Sequence, residues 1–211
     1  MSLHELLRQP GIWRGRDHRF HHARNNGANG LPSGHPGLDE QLPDGGWPRG
    51  ALTEILHDHP GQGELRLLLP ALRHLTRDGR QVALVAPPWQ PYAPALQQAG
   101  IDLHRLTVIT PHRRDDAEWA VEQTLRAGYC HAVLAWPDRR ITTKTLRRLQ
   151  LAAEAGGGCG FLFRHSDTRR QHSPAALRLH LLAPDKVDVI KCRGRYFGRS
   201  ITLSDREPAI A

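Results

Sequence analysis

The chain has 211 residues, 39% of them hydrophobic, and a mean hydropathy of -0.52. That length suffices for one domain with a sizeable core, and no continuous apolar run approaches the ~20 residues of a membrane-spanning helix. The net charge is +8, and Arg supplies all of the 29 basic residues except Lys144, Lys186 and Lys191. A basic balance suits polyanion contact through counterion release, but GC-rich coding also yields Arg-, Ala- and Gly-rich chains, so charge alone leaves DNA contact open. Cys130, Cys159 and Cys192 are scattered without a CxxC pair. With no apolar signal core in "MSLHELLRQP", this points to a reducing cytoplasm.

In chain order, "SLHELL" carries a capping-box pattern, Ser2 with Glu5, and predicts a short helix ended by Pro10-Gly11. Residues 11–30 are basic and Gly/Asn-rich and read as a flexible arm. Its His18, His21 and His22 have no Cys or carboxylate spacing for a metal, so they read as a solvated polar run. Order is expected from Leu31 to about residue 204, with 205–211 a tail. "SGHPGLDEQL" predicts a turn and short helix, and "DGGWPRGALTEIL" a turn and strand. "ELRLLLPALRHLTRDG" predicts a helix closed by Gly79 and kinked or bent at Pro70. "QVALVAPP" reads as a buried strand by its continuous apolar run, and "RLTVITP", "HAVLAWP" and "CGFLFRH" as the strands that follow it. Between them, "PYAPALQQAG", "DDAEWAVEQTLRAG" and "TTKTLRRLQLAAEAGGG" read as helices. The alternation implies βαβ crossovers and a mostly parallel sheet. "ALRLHLLAP", "KVDVIKCRGR" and "SITLS" alternate instead, which predicts antiparallel strands at the sheet's edge.

The stretch Gly37-Leu38-Asp39, Gly45-Gly46-Trp47-Pro48-Arg49-Gly50 and Thr53-Glu54-Ile55 resembles the approach to the first strand of a RecA-type core. That likeness runs from about Leu31 to Leu203 and implies a RecA-like three-layer α/β fold. More narrowly, "IWRGRD" (12–17), "GELRLLLPAL" (63–72), "VAPPWQPYAPAL" (85–96), "VLAWP" (133–137) and "LRRLQLAAEAGG" (146–157) resemble the ImuA family. ImuA proteins are RecA-like accessory factors of bacterial SOS mutagenesis, related in fold to SulA-like division inhibitors. The resemblance implies a non-catalytic role in error-prone translesion synthesis. Its implied partners are an ImuB-type Y-family polymerase homologue, an error-prone polymerase III alpha-type subunit and RecA, with DNA contact left open. The alternative is a SulA-like inhibitor that binds FtsZ.

Within a RecA-like frame, "HDHPGQGEL" stands where a phosphate-binding loop belongs. Such a loop needs backbone N–H groups around the phosphates, a Lys at the β/γ-phosphates and a hydroxyl on Mg²⁺. Gly61 and Gly63 remain, but Glu64 takes the Lys position and Leu65 the hydroxyl position. Trp136 stands where a metal carboxylate would end the "HAVLAW" strand, and Pro87, Pro88 and Trp89 where a water-activating Glu would lie. The reading is an emptied site with no catalytic residue, no cofactor and no metal.

Other candidates are weaker. Asp138 reads as a surface turn residue, and Asp115-Asp116 as first-turn helix charges. Cys130 and His131 are adjacent and cannot easily face each other, and "GGGCG" reads as a helix stop. Two basic surfaces stand out: Lys144, Arg147 and Arg148 at helical spacing, and Lys191, Arg193, Arg195 and Arg199 in a terminal hairpin. Lys191, Arg193 and Arg195 alternate on one strand face, with Tyr196 and Phe197 as candidate anchors for an acidic partner or single-stranded DNA. Trp89 and Tyr92, in a Pro-rich loop over the vacated pocket, are the other partner-binding candidates, as anchors or as packing over it.

Overall fold

The computed structural model describes residues 30–61, 63–192 and 200–203. The expected arm and tail lie outside the described residues, apart from Gly30. So do Arg193, Arg195, Tyr196, Phe197 and Arg199 of the expected hairpin.

Among the described residues one sheet carries eight strands: β1 (Ala51–His57), β2 (Gln81–Val85), β3 (Leu106–Ile109), β4 (Cys130–Ala135), β5 (Cys159–His165), β6 (Leu177–Ala183), β7 (Lys186–Cys192) and β8 (Ser200–Thr202). Their spatial order is β3-β2-β4-β5-β1-β6-β7-β8. The first six are joined in parallel, and this corrects the expectation for "ALRLHLLAP". β6 pairs with β1 in parallel and is buried over most of its length, because the chain crosses over after β5. Only β7 and β8 add antiparallel at the edge as predicted. β1 is buried at every position, the mark of a central parallel strand covered on both faces.

Helices cover both faces. On one side α1 (Pro36–Asp39), α2 (Leu69–Arg77) and α3 (Ala93–Gln98) bury Leu38, Leu72, Leu75 and Leu96 against Ile55, Leu84, Leu134 and Phe161. On the other, α4 (Arg114–Arg126) and α5 (Thr143–Gly156) bury Val121, Leu125, Leu146 and Leu149 against Leu52, Val85, Val133 and Leu162. The result is the three-layer RecA-like core.

Local chemistry explains the boundaries. The Thr142 side chain accepts the Thr145 N–H at 3.1 Å to start α5, and Gly157 ends it in the left-handed conformation, φ 73°. "GGGCG" is therefore a helix stop leading into β5. Pro70 corrects one expectation. It does not kink a long helix: a 3₁₀ turn at Arg66–Leu68 comes first, and Pro70 sits in the opening turn of α2. Its missing N–H is one the helix start leaves unpaired anyway. Ahead of β1, Leu31 and Trp47 exchange backbone hydrogen bonds of 2.9 and 2.7 Å. A Cβ on Gly46 would lie 2.3 Å from the Leu31 carbonyl oxygen, so this crossing requires glycine. Trp47 then meets Phe161 edge-on at 5.4 Å.

Candidate functional site

The parallel topology brings the C-terminal ends of β1, β2, β4 and β5 to one side, where open α/β sheets hold ligands. Here β1 leaves through His57 into Gly61 and Gly63, with φ of 84° and 103°. Glu64 follows and is only 5% exposed. Its carboxylate turns back into its own loop, where Oε1 accepts the Gly61 N–H at 2.8 Å, while Oε2 is buried without a hydrogen-bond partner. In a working loop that N–H would face a phosphate oxygen. In this chain that N–H is taken by the chain's own Glu64 carboxylate. Leu65 packs on the core rather than offering a hydroxyl to a metal. Burial pulls the His57 imidazole below its ordinary value of 6.5, against the opposing pull of the Glu64 carboxylate.

At the end of β4, Trp136 stacks on Phe163 with ring centroids 4.7 Å apart and planes at 26°. Ring packing thus occupies the expected metal-carboxylate position. At the end of β2, Ala86 adopts φ 53°, a left-handed conformation that a non-glycine residue rarely takes. Its N–H donates to the Ile109 carbonyl at 2.9 Å, and Pro87 and Pro88 lead the chain out to Trp89.

Two adjoining cavities result. One, of about 260 Å³, is lined by Gly61, Gly63, Glu64, Leu65, Trp89 and Trp136 among others. The other, of about 410 Å³, is lined by His57, Arg113, Trp136, Arg139, Phe163 and Arg164 among others. Trp136 and Pro88 line both. Trp89 and Tyr92 are 62% and 72% exposed. Val108 pairs in register with Leu84, so their side chains share a sheet face, and it is 43% exposed. Of these, Trp89 lines the smaller cavity, together with Leu84, Pro87, Pro88 and Pro91.

The basic surfaces come apart. Arg148 is tied to Glu122 of α4 through Nε at 3.0 Å and also through Nη2, and Arg126 donates to the same carboxylate at 2.7 Å. Arg148 is thus an interhelix tie, while Lys144 and Arg147 stay exposed. Lys191 donates to the Ser173 carbonyl at 2.7 Å, which joins β7 to the segment after β5. Asp138 is exposed and accepts the Arg140 N–H at 2.8 Å, an ordinary turn contact. Among the described residues no group of three His, Cys, Asp or Glu side chains could hold a metal ion.

Sequence reasoning passed over a buried ionic centre. Glu54 of β1 is fully buried; it accepts from Arg164 Nη1 at 2.9 Å, Arg178 Nε at 2.5 Å and Ser173 Oγ at 3.0 Å. Arg178 also donates to the carbonyls of Thr168, Arg169 and Gln171 at 3.0–3.1 Å. The cluster fastens residues 168–173 over β1 and β6. The one available signal was a lone Glu inside an apolar strand.

The sequence model described as "Cell division inhibitor SulA" matches residues 50–160. The chain belongs to the SulA family. It is 30% identical over 137 residues to the cell division inhibitor SulA of Salmonella arizonae, a match covering 62% of this chain and 79% of that one. With the SulA of Pectobacterium atrosepticum it shares 30% identity over 115 residues, covering 54% and 68%. A crystal structure of SulA from Pseudomonas aeruginosa aligns at 27% identity, covering 54% of this chain and 97% of that one, with a TM-score of 0.46. The SulA match spans β1 to the start of β5 and so contains the loop from Gly61 to Glu64, both tryptophans of the smaller cavity and the end of β4.

Proposed function

We propose that this SulA-family chain is a nucleotide-independent protein-binding module of the DNA-damage response. One observation carries the reading: the Glu64 carboxylate satisfies the Gly61 N–H where a phosphate would bind. A carboxylate beside a triphosphate is repulsive, and more so away from water. The exposed Trp89 and Tyr92 beside that loop supply anchors for a partner.

The comparisons most directly support a division inhibitor whose target is FtsZ. A second reading, an ImuA-type accessory factor of translesion synthesis acting with an ImuB-type polymerase homologue, has its own support. Residues 161–203, beyond the SulA match, contain most of β5 and strands β6 to β8 of the same sheet. Residues 12–17 carry the ImuA-like "IWRGRD". RecA and a polymerase III alpha-type subunit are further partners under this second reading.

One experiment separates the two: purified protein is tested for inhibition of FtsZ assembly and for capture of an ImuB-type homologue. Inhibition without capture supports the first, and capture without inhibition the second. Loss of at least tenfold in affinity for the operative partner is expected in Trp89→Ala/Tyr92→Ala. Full activity of that folded variant would remove these two residues from the docking surface.

A further inference from the structure

The larger cavity lies where β1, β4 and β5 end, and its lining carries nitrogen atoms that the described residues leave unsatisfied. Arg164 Nε, Trp136 Nε1 and His57 Nδ1 are buried without a hydrogen-bond partner. Arg164 and His57 are 4% and 5% exposed. Native proteins rarely leave buried polar groups unpaired, and an unsatisfied group calls for an explanation, such as a ligand. The Arg164 and Trp136 nitrogens can only donate, whereas His57 Nδ1 takes either role with its tautomer. Arg164 already spends Nη1 on Glu54 and Nη2 on Gln171, at 2.9 and 3.3 Å, so Nε is the donor left over.

The rim has the matching sign. Arg113 and Arg139 are exposed and line the cavity, Arg139 in a long surface ion pair with Asp167 at 3.9 Å. The acid in the lining, Asp138, accepts a backbone N–H. Cations at the mouth, a stacked Trp136–Phe163 wall and unpaired nitrogens on residues of the lining suit an oxyanion joined to an apolar body.

We propose that this cavity receives a side-chain carboxylate from an acidic segment of a partner protein. The inference rests on the protein-docking reading above and gives it a chemistry. A nucleic-acid strand would need cations spaced along an open track. Here the cations Arg113 and Arg139 line one cavity, which adjoins the smaller one beside Trp89 through Trp136 and Pro88.

The test follows the tryptophan indole N–H signals of the ¹⁵N-labelled full chain at constant ionic strength, with Trp136 assigned through Trp136→Phe. The probes are the peptide Ac-Gly-Asp-Glu-Gly-NH₂, its amide counterpart Ac-Gly-Asn-Gln-Gly-NH₂, inorganic phosphate and octathymidylate. The acidic peptide should shift the Trp136 signal saturably and bind at least fivefold more tightly than the amide peptide. Arg113→Ala/Arg139→Ala should weaken it at least threefold. Equal binding of the two peptides, or saturation by phosphate or octathymidylate alone, overturns the carboxylate assignment. If the peptide fails while FtsZ or the ImuB-type homologue is still bound, this inference falls and the docking reading stands; if no protein partner binds, the docking reading falls as well.

Discussion

Glu54 shows how much one buried charge can organise. Its carboxylate holds two guanidinium groups whose side chains are 2% and 5% exposed. Removing one member of such a cluster strands the others in a low-dielectric interior, which typically costs about 3–5 kcal/mol. Glu54→Ala should therefore lower unfolding stability by that order in urea titration, and a loss under about 1 kcal/mol would contradict the assigned role. His57 acts through pH. Its folded pKa is depressed, chiefly by burial, so below about 6.5 the unfolded chain binds a proton that the native state refuses. Its effect is absent above that pH, and stability falls as pH drops toward the folded value. His131, also lowered mainly by burial, acts in the same direction. Stability measured from pH 7.5 to 5 should fall on the acid side, with a shallower fall in His57→Asn. Cys159 is pushed up to about 12 by burial and Cys130 is raised for the same reason. Neither thiol should react with iodoacetamide at pH 8 in the native protein, and both should react in urea.

At the scale of elements, α4 and α5 meet so closely that one side chain would part them. A Cβ on Gly156 would sit 1.9 Å from the Leu125 carbonyl oxygen, a backbone atom that cannot move alone. Gly156→Ala should cost about 1–3 kcal/mol, typical of overpacking, read from thermal or urea unfolding. Sequence indicated that a helix stops near these glycines. It did not indicate that the stop is also an interhelix contact, because that depends on where α4 ends. The same limit applied to α2, whose start after a 3₁₀ turn turned Pro70 from an expected kink into a first-turn residue.

Over the whole molecule, a mostly parallel sheet covered by helices on both faces gathers the ends of β1, β2, β4 and β5 on one side. Glu64 accepts the Gly61 N–H, and Trp136 is committed to Phe163. Calorimetry with ATP and Mg²⁺ should give no binding at micromolar concentrations, and Glu64→Lys alone should not create any, because no carboxylate replaces Trp136. Magnesium-dependent micromolar binding by the parent chain would refute this reading.

Much of this was legible in the residues. The continuous apolar run of "QVALVA" specified a buried parallel strand, since a strand covered on both faces tolerates continuous hydrophobicity, whereas "LTVI" lies at the open edge of the sheet and is partly exposed. Alternation in "KVDVIKC" and "SITLS" pointed to the antiparallel edge, though not to the parallel pairing of β6 with β1, and the identities at 64, 65 and 136 led to the expectation of a lost nucleotide site. Tertiary structure decided what these residues touch. Only the turn through Gly61 and Gly63 brings Glu64 back onto its own loop. Only the register of β1, β5 and β6 joins Glu54 to Arg164 and Arg178, more than a hundred residues away. Arg148 and Lys191 looked alike as surface charges; partners on other elements hold both. Pairings across such separations leave no local periodicity, because they are fixed by strand order and helix approach rather than by neighbours in the chain.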